Sequence, residues 1–120
     1  MSKLSRKEYS PMVVRKYTCM KGLPIFVAII TDDALTDLDE FAVSFLHKFQ
    51  EEGELETIQD FRNLAGALTE EITKKYPRVE GVAVVLFPDK AAVCSLWGDF
   101  MNHAMCRKEL YDVIQIMTNV

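Results

Sequence analysis

Apolar positions along this chain follow two rhythms, one suited to strands and one to helices. Between Met12 and Met20 the residues Val13, Val14, Tyr17, Thr18 and Cys19 favour an extended strand. Lys21-Gly22-Leu23-Pro24 is a turn signal. Ile25 to Ile30 is an unbroken apolar run, ended by Thr31-Asp32-Asp33. The period then lengthens. Leu38, Phe41, Ala42, Phe45 and Phe49 recur at helical spacing, after a Thr36-x-x-Asp39 start signal and before Gly53, which suits a left-handed C-cap. Thr57-x-x-Asp60 opens a second helix with the buried stripe Ile58, Phe61, Leu64, Ala65, Leu68, Ile72 and Tyr76, closed by Pro77.

The strand rhythm returns at Val82 to Phe87, turns at Pro88-Asp89-Lys90, and resumes from Ala91 to Trp97. Gly98-Asp99 then leads into a final helix with Cys106, Leu110, Val113 and Met117 on its apolar side. The predicted order is β-β-α-α-β-β-α, an α+β domain on an antiparallel four-stranded sheet. The domain spans 10–120, and the polar, basic residues 1–9 read as a loose arm. The runs Ile25–Ile30 and Val82–Phe87 do not alternate apolar with polar, so both sheet faces need cover. Two helices cover one face. The final helix or a second subunit must cover the other, and the pattern predicts a closed homo-oligomer.

A length of 120 residues with 49% hydrophobic content is one domain with a real core. The net charge of −4 gives no bulk electrostatic case for nucleic acid. No apolar run reaches the roughly 18–20 residues of a membrane span, and no apolar segment follows the basic start as a secretory signal would. Cys19, Cys94 and Cys106 are odd in number and without paired spacing, which predicts thiols in a reducing, cytoplasmic setting. That spacing, with only His47 and His103 beside it, assigns no metal.

The candidate chemistry centres on the first hairpin. A thiol at a strand end adds to an electrophilic carbon once ionised, and Lys16 and Lys21 beside Cys19 would favour its thiolate. Glu56 is a candidate anchor, because one carboxylate accepts two neighbouring hydrogen bonds. Lys21 and Lys90 are candidate substrate contacts in the two hairpin turns. The plainer readings are a core cysteine, a loop acid and turn lysines.

Thr18-Cys19 followed by Gly22-Leu23-Pro24-Ile25-Phe26, together with the element order, resembles the tunnelling-fold (T-fold) superfamily of pterin and 7-deazaguanine metabolism. Its QueF-type nitrile reductases are similar at this hairpin and at Phe49-Gln50-Glu51-Glu52-Gly53-Glu54-Leu55-Glu56. GTP cyclohydrolase I is similar around Leu64-Ala65-Gly66-Ala67-Leu68 and Arg107-Lys108-Glu109-Leu110, and dihydroneopterin aldolase around Pro88-Asp89-Lys90-Ala91. The resemblance implies an oligomeric barrel that binds a purine-like heterocycle, a 7-deazaguanine or pterin, at a subunit interface. Cys19 would be the nucleophile, and Glu56, Lys21 and Lys90 would bind substrate.

The reductases' proton-donor Asp is Ile25 here, and their NADPH segment has no counterpart between Thr31 and Phe49. The implied chemistry therefore changes the ring's C7 substituent without NADPH or any other cofactor, by amidine-type transfer of ammonia to a nitrile or by decarboxylation. Two other readings stay open. One is a non-catalytic T-fold binding or assembly protein, and the other is an unrelated small α+β interaction or inhibitor protein.

Overall fold

The computed structural model describes residues 10–19 and 22–118. The expected arm over 1–9 and Lys21 lie outside the described residues. In chain order the elements are β1 (Met12–Thr18), β2 (Pro24–Ile30), α1 (Leu38–Glu51), α2 (Ile58–Lys75), β3 (Gly81–Leu86), β4 (Val93–Gly98), α3 (Asp99–Asn102) and α4 (Ala104–Thr118). The four strands form one sheet in the order β1-β2-β3-β4, with each neighbouring pair antiparallel. This is the predicted α+β class and element order, in an open sheet with one additional short helix.

The β2 and β3 runs are apolar throughout because both their faces are buried. Ile25, Val27 and Ile29 of β2 and Val82, Val84 and Leu86 of β3 face a core with Leu38, Ala42 and Leu46 of α1 and Leu64, Ala65, Leu68 and Ile72 of α2. The alternate residues Phe26, Ala28, Ile30, Ala83 and Val85 face a second core with Phe100, Cys106, Leu110 and Ile114. The chain's own α3 and α4 thus provide the second cover that the sequence pattern demanded. A second subunit is not needed to bury β2 and β3.

Local rules explain most boundaries. Thr57 and Asp60 form a reciprocal capping box: the Asp60 N–H donates to Thr57 Oγ1 (3.1 Å) and the Thr57 N–H donates to Asp60 Oδ2 (2.9 Å). The first helix departs from expectation at both ends. Asp37, not Thr36, holds its cap position, without a side-chain cap bond. The Asp37 carboxylate instead accepts from Tyr76 Oη (2.6 Å) and pairs with Lys75 (3.0 Å), tying the start of α1 to the end of α2. At the other end Glu52 closes the helix in right-handed geometry, so Gly53 is not a left-handed cap.

Gly98 does need to be glycine. Its φ is +67°, and an added Cβ would sit 2.3 Å from the Glu80 carbonyl oxygen. That sharp exit from β4 starts α3 directly over the second core. The expected single final helix is split at His103, which has extended backbone, into α3 and α4. No described helix is long and apolar enough to cross a membrane.

Candidate functional site

Because β1 runs antiparallel to β2 and α1 returns along the sheet, three connections meet at one end of the domain. They are the β1–β2 hairpin, the α1–α2 loop and the β3–β4 turn. Cys19, Glu56 and Lys90 belong to these three connections, so the topology gathers all the described candidates at one end. Leu55 and Val93 seal the first core there, in the same apolar cluster as Cys19.

Cys19 follows the last residue of β1, and its N–H donates to the Leu23 carbonyl (2.9 Å), closing the hairpin. Its side chain is only 4% exposed. Burial pushes its thiol above the ordinary range, because the thiolate loses hydration. This is the opposite of the activation expected from neighbouring lysines. Lys16 is exposed and projects toward the other sheet face, in register with Phe26.

The thiol nevertheless borders a small cavity of about 210 Å³, lined by Thr18, Cys19, Val43, Leu46, His47 and Gln50. His47 is the neighbour that sequence spacing did not connect to Cys19. It reaches this cavity because the second half of α1, with Val43, Leu46 and Gln50, lies beside the end of β1. Cys94, by contrast, is on the α4 side of the sheet, where its Sγ lies 3.9 Å from Tyr111 Oη.

The second cavity, of about 240 Å³, opens beside Gly53 and is lined by Phe49, Glu52, Gly53, Glu54, Leu55, Asp60 and Asn63. Glu56 is not among its lining residues. The Glu56 N–H donates to Asp60 Oδ2 (2.9 Å), which fixes the backbone there as the approach to α2. The Asp60 carboxyl is held below the ordinary range by the N–H groups of Thr57 and Glu56. Asp60 is therefore committed to the helix start, which leaves Glu52 and Glu54 as the acids of the cavity. Asn63 adds a carboxamide, whose oxygen accepts from Gln59 Nε2 (3.0 Å). Phe49 adds an aromatic ring beside Phe45 (centroids 5.8 Å).

Lys90 is exposed in the β3–β4 turn and lines neither cavity. The structure thus assembles Cys19 with His47, and Glu52 and Glu54 with Phe49 and Asn63. Among the described residues no group of three His, Cys, Asp or Glu side chains is placed to hold a metal ion. No protein-family model matches this chain, and no curated protein matches it.

Proposed function

We propose that this protein is a T-fold-type binding domain for a flat, purine-like heterocycle of the 7-deazaguanine or pterin class. The ring enters the cavity beside Gly53. One observation carries the reading: that cavity unites an aromatic face, two uncommitted carboxylates and a carboxamide. Phe49 stacks on the ring, Glu54 or Glu52 accepts from its N–H and NH₂ edge, and Asn63 bonds the carbonyl side. A carboxylate suits a guanine-like edge because that edge offers two donors side by side, one for each carboxylate oxygen. The buried, poorly ionised Cys19 favours binding over thiol catalysis. In the T-fold reading, copies assemble into a barrel and the site lies near a subunit boundary.

A second reading has its own observation. Cys19 and His47 border one cavity, and an imidazole is the base type that takes a thiol proton. In that reading the ring sits at the Cys19 cavity instead: Cys19 Sγ adds to the carbon of a C7 nitrile, one π bond of the C≡N opens to give a thioimidate, and the thiol proton passes by way of His47 to its nitrogen.

The test is thermal denaturation with 7-cyano-7-deazaguanine, 7-carboxy-7-deazaguanine and neopterin. Ligand at one hundred times its dissociation constant adds about 2.7 kcal/mol of stability. Glu54→Gln and Glu52→Gln weaken the shift, whereas Glu56→Gln leaves it intact. The binding proposal fails if none of these rings raises the melting temperature. Intact mass after incubation with the nitrile separates the two readings: a Cys19 adduct supports catalysis, and an unmodified chain with a normal shift supports binding alone.

A further inference from the structure

The sheet has two edges, and they differ in kind. The β1 edge carries Arg15 and Lys16, charges that discourage pairing with another strand. The β4 edge, Val93-Cys94-Ser95-Leu96-Trp97-Gly98, has no charge and no proline. Trp97 on the strand (40%) and Met101 (60%) on α3, which packs against β4, are exposed apolar side chains. An uncharged edge flanked by apolar groups is a template for a further strand.

The backbone of β4 sets the geometry. Just past the end of the β3–β4 pair, the Asp99 N–H donates to the Glu80 carbonyl (3.0 Å). Bonded and non-bonded pairs alternate along an antiparallel ladder. Counting back from Glu80 and Asp99, the bonded pairs are Val82–Trp97, Val84–Ser95 and Leu86–Val93. Cys94 and Leu96 alternate with them. Their N–H and C=O groups therefore point away from β3, toward the open edge.

We infer that this edge pairs with the β4 edge of a second copy of the chain. The two strands run antiparallel about a two-fold axis through Ser95. A two-fold normal to the sheet keeps each face continuous, so a residue can pair only with one of the same face. With Ser95 on the axis, Cys94 faces Leu96 of the other copy, and these residues exchange the hydrogen bonds their outward groups need. Trp97 then packs against Val93 of the other copy. An axis through Leu96 would instead require Gly98 to pair, and its φ of +67° takes it out of extended geometry. A second copy is the fitting occupant because the strand is complementary to itself. About that axis every outward N–H and C=O of Cys94 meets one of Leu96 and no charge lies in the seam. The inference is independent of the heterocycle and of any barrel.

The test uses the intact chain. Wild type sediments at micromolar concentration with twice the 13.7 kDa chain mass. Ser95 and its symmetry mate form a non-bonded pair, with Cα atoms about 4.5 Å apart, inside the disulfide range. Ser95→Cys in a Cys94→Ala background therefore cross-links on mild oxidation, and Lys16→Cys in that background does not. Ser95→Lys opposes two cations on the axis and yields a monomer with unchanged far-UV circular dichroism. Trp97 is the only tryptophan, so its emission moves to the red in the Ser95→Lys monomer. A monomeric wild type with no Ser95→Cys cross-link overturns the inference. So does a dimer that cross-links through Lys16→Cys instead.

Discussion

Truncating Leu110 tests whether the chain covers its own second sheet face. Leu110 is fully buried beneath the sheet, in the cluster with Phe26, Ala28, Ile30, Ala83, Val85 and Phe100. Leu110→Ala removes three carbons, a transfer loss of about 2.4 kcal/mol at ~0.8 kcal/mol per methylene. The cavity left between α4 and the sheet adds to this, because the strands are held by their neighbours and relax only in part. The expected total is about 3–4 kcal/mol, within the usual span for buried Leu→Ala changes. That is a large fraction of the ~5–15 kcal/mol by which a domain of this kind is stable.

Urea unfolding at fixed protein concentration reads this directly. At a slope of about 1.5–2 kcal/mol/M the midpoint falls by roughly 2 M with the slope unchanged. Ile116 is the internal control. It lies on the same helix but is 65% exposed, so Ile116→Ala stays within about 0.5 kcal/mol of wild type. Equal midpoints for the two variants would refute the two-core account. The second face would then owe its burial to something other than α4.

Two further outcomes follow from the titratable groups. In dilute solution iodoacetamide modifies exposed Cys94 first, while Cys19 and Cys106, each 4% exposed, react only after urea unfolds the chain; labelling of native Cys19 at the Cys94 rate would restore the case for an activated thiol. Tyr17 has its phenol pushed well above the ordinary range, first by burial and then by its hydrogen bond to Asp39 (2.6 Å). A raised folded-state pKa contributes stability that is complete below the unfolded value of about 10 and is lost as pH rises toward the folded one. Stability therefore declines above about pH 10, and Tyr17→Phe makes that decline shallower. Tyr76, raised by burial and by its bond to Asp37, retains a slope of its own. An identical alkaline limb in Tyr17→Phe would remove Tyr17 from the account.

Much of the architecture was legible along the chain because it follows from local rules. The Thr57–Asp60 box, the helical stripe from Leu64 to Ile72 and the two strand pairs are periodicity and short-range capping, set by neighbours within a few residues. The unbroken apolar run of β2 also announced cover on both faces. It did not announce what provides that cover. A sequence period reports that a residue is buried, not which element buries it.

The tertiary structure alone decided the rest. Gly98 turns the chain over the sheet and delivers Phe100 and α4 to the second core, a consequence of backbone that only glycine adopts easily there. The candidate chemistry moved for a similar reason. Lys16, near Cys19 in sequence, suggested an activated thiol, but a strand sends alternate side chains to opposite faces. Lys16 projects one way, and Cys19 is buried with the first core. Glu56 does not line the cavity beside Gly53 whereas Glu52 and Glu54 do, a difference that position along the loop does not show. Local pattern determined the elements of this protein. Which side chains share a cavity was decided by strand parity and by how the helices lie on the sheet, since those set direction, and direction is not encoded in spacing.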